Sequence, residues 1–180
     1  MTNILHYDSP LGGILLAADE SGLTGLWFDG QKHFANGLSH DQIKKSSPIL
    51  SDTIRWLDIY FSGKEPDFIP PLHLIGSDFQ ISVWNILLQI PYGQTTTYGE
   101  IAHRLAQQRN LSEMSAQAVG GAVGHNKISV IIPCHRVVGA NGSLTGYAGG
   151  IDKKIKLLTL ESAATDSFFI PKKSTALSYK

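Results

Sequence analysis

The chain of 180 residues has a single cysteine, Cys134, which excludes an internal disulfide framework and every structural zinc site built on several thiolates. His6, His33, His40, His73 and His103 are too scattered to cluster as metal ligands by spacing, so no metal is expected. Net charge is also absent, because fifteen basic residues balance fifteen acidic ones; bulk composition therefore does not mark a nucleic-acid binder, whose domain usually runs basic. No apolar run approaches the length of a membrane span, and Met1 to Asp8 lacks the basic flank and apolar core of a secretion signal. A soluble cytoplasmic protein with no membrane partner is the expectation. Gly-rich phosphate loops are missing as well, so no nucleotide cofactor is expected.

What the chain does have is 42% apolar residues, enough for a real core in one ordinary domain or two small ones. Its neutrality is an average of two unlike halves. Residues 1–90 hold ten acids and five bases, and residues 91–180 hold five acids and ten bases, about −5 against +5. Such an asymmetry points to an anionic partner for the second half.

Turn clusters at Ser9 to Gly13 and Asp19 to Gly22 divide the first thirty residues into a three-stranded antiparallel meander. Ser47-Pro48 offers an N-cap with proline at the first helical position, and Leu50, Ile54, Leu57 and Phe61 follow at helical steps. The proline-rich stretch from Gly63 to Pro71 reads as a linker. Beyond it, Ser77 with Gln80 and Thr97 with Glu100 have the spacing of capping boxes. They start two helices, the first carrying Phe79, Val83, Ile86, Leu87 and Ile90, the second Ile101 and Leu105. The predicted fold class is α/β: a small N-terminal domain over residues 1–75, an antiparallel sheet plus helix, then a mostly helical domain over 76–163 with a helix-turn-helix, and a tail over 164–180.

The second helix of that motif, from Ala116 to Gly124, is built of alanine, glycine and valine around Gln117. Glycine inside a helix costs roughly 1 kcal/mol relative to alanine, so thinness must bring a gain: close backbone approach to another surface, or tight packing within the domain. The β-branched run from Ile128 to Ile132 reads as a buried strand leading into Pro133-Cys134-His135-Arg136. A lone cysteine is more often an inert small hydrophobe than a nucleophile, and reactivity requires a base or cation near the thiol. His135 is adjacent, but strand neighbours point to opposite faces, so the pair cooperates only if the chain leaves the strand here. A third group to orient the imidazole is Glu161, Asp152 or none by spacing alone. Arg136 reads equally as a modulator of the thiol or a salt-bridge partner, and Lys153, Lys154 and Lys156 as a solvated helix face. Trp27, Trp56 and Trp84 read as core.

The run from Ile132 to Val137, with Asn126 eight positions before the cysteine and Gly146-Tyr147-Ala148-Gly149-Gly150 after it, resembles the O6-alkylguanine-DNA alkyltransferases. Phe79-Gln80 with Val83-Trp84, Ile90 to Gly93, Thr97 to Ala102 and Ala118 to Ala122 match in the family's order. The resemblance is strong over residues 77–161 and generic before them. It implies a single-turnover, cofactor-free methyltransferase that moves the alkyl group of O6-alkylguanine, with O4-alkylthymine as a second candidate substrate, from duplex DNA onto Cys134. It also implies base flipping, minor-groove binding and a monomer. By resemblance His135 deprotonates the thiol through a water, Glu161 holds the imidazole, Asn126 ties helix to active-site segment, and Tyr98 donates a proton to the departing guanine or presses on a phosphate. Val137, Tyr147, Ala148 and Gly149 line the substrate pocket, and Gly99, Ala116, Gln117 and Ala140 meet the DNA.

Three departures from the family pattern stand out. Gln117 replaces an arginine that fills the gap left by the extruded base, so weaker DNA affinity is expected. Lys127 replaces a proline, adding a charge near the DNA, and Ala148 replaces a serine, removing one hydrogen bond to the base. Two rival classes remain at this level: a damage sensor, which would lack the cysteine, and a cysteine hydrolase, which would need an oxyanion hole and would not explain the thin helix.

Overall fold

A computed structural model describes residues 1–171. The chain separates into two compact units: the first holds Met1–Ile75 and Lys127–Ile131, the second Gly76–Asn126 and the chain from Ile132 onward.

In the first unit, β1 (Thr2–Ser9), β2 (Gly12–Ala18), β3 (Leu23–Phe28) and β4 (Gln42–Lys44) precede α1 (Pro48–Phe61). The expected meander is present, but the sheet has four strands, in the order β3-β2-β1-β4, with β4 parallel to β1. The tight hairpins form where short polar side chains satisfy turn amides: the Asp19 carboxylate accepts from Ser21 and Gly22. Glycine is required at position 22, since a Cβ there would meet the backbone of Leu72 at 2.7 Å. Ser47 caps α1 by accepting from the Leu50 amide at 3.2 Å. The buried face of α1 is Leu50, Thr53, Trp56, Leu57 and Tyr60. It is thus rotated from the expected stripe toward the aromatic side, where Trp56 and Tyr60 stack at 5.1 Å.

The run from Ile128 to Ile132 is not a strand. Ile128 makes one parallel bridge to Leu26, and Val130 then turns the chain with φ of 69°. The segment is nevertheless core, with Ile128, Val130, Ile131 and Ile132 all buried. Its apolar content reports burial, which a turn can satisfy as well as a strand once its polar groups are paired. Here the Lys127 carbonyl and the Ser129 amide take up the Leu26 amide and carbonyl.

The second unit contains α2 (Asp78–Leu87), β5 (Thr96–Thr97), α3 (Tyr98–Gln108), α4 (Ala116–Gly124), a 3-10 turn (Cys134–Arg136), β6 (Val137–Val138) and α5 (Ile151–Leu160). Both expected capping boxes form, Ser77 with Gln80 and Thr97 with Glu100. The helices α3 and α4 make the helix-turn-helix. The Trp84 indole donates to the Ala122 carbonyl at 2.9 Å, fastening α4 to α2. The small side chains of α4 divide between two faces: Gly120 and Ala122 are buried with Val119 and Val123, while Gln117 and Ala118 are exposed. A Cβ at Gly121 would meet nothing within 4 Å. The parallel pair β5 and β6 aligns Thr96 with Val137 and Thr97 with Val138, joining the start of the helix-turn-helix to the cysteine segment. Of the tail expected over 164–180, residues 172–180 lie outside the described residues.

Candidate active site

The 3-10 turn solves the problem that strand geometry poses for Cys134 and His135. With three residues per turn, neighbouring side chains diverge without pointing to opposite faces. The turn closes through bonds from Arg136 N to Pro133 O at 3.0 Å and from Val137 N to Cys134 O, and a bond from Cys134 N to Ile132 O at 2.8 Å leads into it. Cys134 is a free, buried thiol, and His135 and Glu161 are buried as well.

Of the three options left open by spacing, the fold brings Glu161 to the imidazole: His135 Nε2 lies 2.6 Å from Glu161 Oε2. Arg136 binds the same carboxylate from Nε at 2.8 Å and from NH2 at 3.1 Å, and donates from NH1 to the Ile90 carbonyl at 2.6 Å. The Gly93 amide adds a bond to Glu161 Oε1 at 3.1 Å. Burial alone would raise the Glu161 carboxyl, but His135 and Arg136 outweigh it and hold the group well below the usual carboxylate range. Burial lowers the His135 imidazole despite the carboxylate. The neutral ring therefore carries its hydrogen on Nε2, toward Glu161, and a lone pair on Nδ1. That nitrogen is buried and has no hydrogen-bond partner among the described residues. Tyr147 packs edge-on against the ring, with centroids 6.5 Å apart.

Burial pushes the Cys134 thiol up, while a hydrogen bond from Asn126 and the charge of Lys154 oppose the rise. Asn126 also donates to the Ile132 carbonyl at 2.8 Å. Since its own amide bonds to Val123 O, it links the end of α4 to the segment that carries the cysteine. Tyr98 is fully buried, and its hydroxyl donates to the Thr145 carbonyl at 3.2 Å.

Lys154 corrects the sequence reading. Instead of sharing a solvated face with Lys153 and Lys156, it is fully buried. Its Nζ donates to Val137 O at 2.5 Å and to Thr145 O at 3.1 Å. Burial brings it down to about 8, against the pull of Cys134. A signal was present in the spacing: Lys154, Leu157, Leu158 and Glu161 fall on one helical face, and the other three are buried. Arg136 is a salt-bridge partner, one of its two sequence readings. Thr145 and Ile90 contribute through backbone carbonyls, which no side-chain motif announces.

Among the remaining sequence candidates, Val137 is buried, Ala148 and Gly149 are half-buried, and Ala116 is half-buried at the start of α4. Gly99, Gln117 and Ala140 are exposed. Lys127 groups with the first unit, its ammonium beside Gly37. Among the described residues no helix is long and apolar enough to cross a membrane.

The family model for the ribonuclease-like domain of 6-O-methylguanine DNA methyltransferase matches residues 5–74, and that for its DNA binding domain matches residues 78–163. A methylated-DNA–protein-cysteine methyltransferase of Methanosarcina acetivorans is 44% identical over 158 residues, covering 87% of this chain and 96% of the relative. The crystal structure of Mycobacterium tuberculosis O6-methylguanine methyltransferase is 42% identical with a TM-score of 0.75, covering 90% of this chain and 93% of that one. A second structure of the Mycobacterium tuberculosis protein, in complex with DNA, superposes with a TM-score of 0.74 at 42% identity, covering 89% of this chain and 92% of that one. With both family models matched in order and relatives above 40% identity over nearly their whole length, the chain belongs to the 6-O-methylguanine DNA methyltransferase family.

Proposed function

We propose that this protein repairs DNA by direct reversal, moving the alkyl group of O6-alkylguanine in duplex DNA onto the Cys134 sulfur, once per molecule and without a cofactor. The observation that carries the reading is a buried thiol next to an imidazole whose Nε2 is held by Glu161 and whose Nδ1 faces no protein partner among the described residues. The methyltransferase relatives give that arrangement its reaction.

The target carbon is attached to a base edge inside the stack, so the nucleotide must be extruded before a buried sulfur can reach it. Ordinary thiols are only a few per cent ionised near neutrality, and burial makes the Cys134 thiolate rarer still. Ionisation is therefore coupled to the reaction. His135 Nδ1 takes the thiol proton through a bridging water, and the Glu161 carboxylate stabilises the imidazolium as it forms. The charge of Lys154 and the Asn126 hydrogen bond favour the sulfur anion. The S–C bond forms in line as the C–O6 bond breaks, and the electron pair leaves with guanine. Tyr98 supplies the proton that guanine needs, turning its hydroxyl from the Thr145 carbonyl to the base; its burial favours that role over a phosphate contact. Val137, Tyr147, Ala148 and Gly149 bound the pocket. The product is a thioether, and a thiolate leaves saturated carbon too poorly for turnover.

The exposed face of α4 enters the minor groove, where small residues allow the backbone to come close. Gln117 fills the space of the extruded base and bonds the orphaned cytosine. Gly99, Ala116 and Ala140 approach the phosphates through backbone amides. The protein works as a monomer in the cytoplasm, with O4-alkylthymine as a second candidate substrate.

Intact-protein mass after incubation with duplex DNA carrying O6-methylguanine tests the reading. One added methyl group, at Cys134, saturating at one per molecule and absent in Cys134→Ala, is expected. Tight lesion binding without a mass change would instead mean a sensor, and repeated turnover on acyl substrates would mean a hydrolase.

A further inference from the structure

Residues 163–171 lie at or beyond the end of the family match at 163, yet they are not an idle tail. Phe169 forms a parallel bridge with Ser143. Its carbonyl accepts from the Leu144 amide at 2.8 Å, and its amide donates to the Gly142 carbonyl at 3.1 Å. Phe168 packs on the buried cluster of Val138, Leu144 and Leu158. Glycine is required at position 142 for this fit: its φ is 85°, and a Cβ there would meet the Ser167 carbonyl at 2.6 Å.

The loop so gripped is the one that needs it. Between β6 and α5 the chain has no helix or strand of its own, and its local closure rests on bonds from Gly139 N to Ser143 O and from Gly142 N to Gly139 O. The next residue after Leu144 is Thr145, whose carbonyl receives both the Tyr98 hydroxyl and the Lys154 ammonium. Two residues further on, Tyr147 packs against the His135 ring. The strap thus holds the residue adjoining a polar junction that fixes two side chains of the site, Tyr98 and Lys154. A loop held only by its own turns opens locally at little free-energy cost, whereas one paired to a second segment and sealed by an aromatic side chain does not.

We propose that residues 167–170 are a positioning strap for alkyl transfer, pairing with Gly142–Leu144 and seating Phe168 on Leu144 so that Thr145 and Tyr147 keep their places beside the reacting cysteine and histidine. The inference rests on the repair reading for its chemistry, and on geometry alone for the grip itself. It concerns the chemical step more than binding: α4 makes no part of the strap, and Ala140, the DNA-facing residue on the gripped loop, lies outside the strap's bonds to Gly142 and Leu144.

Three variants of the full chain separate the elements of the grip. Phe169→Pro deletes the N–H that bonds Gly142, Phe169→Ala keeps it, and Phe168→Ala removes the aromatic seal. Amide exchange at Leu144, duplex affinity and the single-turnover rate at saturating O6-methylguanine DNA are measured for each. Phe169→Pro and Phe168→Ala should speed exchange at Leu144 and slow transfer by about tenfold or more, since small misplacements of reacting groups are costly. Affinity should stay within about twofold, and Phe169→Ala should resemble the parent chain. Unchanged exchange at Leu144 would sink the grip, and faster exchange with an unchanged rate would reduce it to a structural cover. A parent chain that transfers nothing overturns the repair reading instead, and the exchange data still decide whether the strap holds the loop.

Discussion

A lysine ammonium is seldom fully buried without a carboxylate, yet Lys154 is buried and is met by two backbone carbonyls. Its folded-state value near 8, against an ordinary 10.5, makes stability depend on pH with a definite sign. Below about pH 8 the folded and unfolded chains both hold the proton, and burial of the charge costs its full amount. Between the two values only the unfolded chain holds it, so stability rises with pH there, by about 3 kcal/mol at order of magnitude. Urea melts near pH 7 and near pH 10 should show this rise in the parent chain and not in Lys154→Met. The same variant should transfer more slowly near pH 7, with the deficit narrowing above about pH 8, where the parent lysine is itself neutral. An equal deficit at both values would remove its charge from the reaction. Nothing in the residue type foretold this burial; only the register of α5 hinted at it, through Leu157, Leu158 and Glu161.

At the scale of elements, α4 carries the two readings that its composition left side by side, one on each face. Gly120 and Ala122 serve packing, and the Trp84 indole bonds the Ala122 carbonyl. Gly121 borders open space, where a side chain costs the fold nothing. Gly121→Ala should therefore stabilise the protein by up to about 1 kcal/mol through helix propensity, while weakening duplex binding because the helix can no longer approach as closely. A thermal melt and a binding titration on the same variant check both halves; tighter melting with unaltered binding would assign the thinness of α4 to packing alone. The capping boxes of α2 and α3 were legible because they are local, with both partners three residues apart. The rotation of α1 toward Trp56 and Tyr60 was not, since several registers of an apolar-rich helix satisfy the same periodicity.

At the scale of the whole molecule, the chain divides after Ile75, but its two units are not two continuous stretches. Lys127–Ile131 returns to the first unit and pairs with the edge of β3 at Leu26. A fragment of residues 1–75 lacks that cover, leaving the Leu26 amide and carbonyl without their partners and apolar residues of the sheet exposed. It should show rapid exchange at the Leu26 amide and a lower melting temperature than a mixture with a peptide spanning 127–131; equal behaviour would make the returning segment dispensable. The run from Ile128 to Ile132 was recognisable as buried and not as a turn, because hydrophobicity records removal from water whereas conformation depends on which polar groups lie alongside. The amino-acid sequence by itself determined the caps, the hairpins, the thin helix and the cysteine motif, all of which arise from contacts within a few residues. Only the tertiary structure decided that Glu161 meets His135 and Arg136, that Lys154 turns inward to Val137 and Thr145, and that Phe168 and Phe169 grip the active-site loop. The partners of Glu161 and Lys154 lie from 9 to 26 residues away along the chain, and chain folding, not local preference, sets which of many possible side chains arrive there.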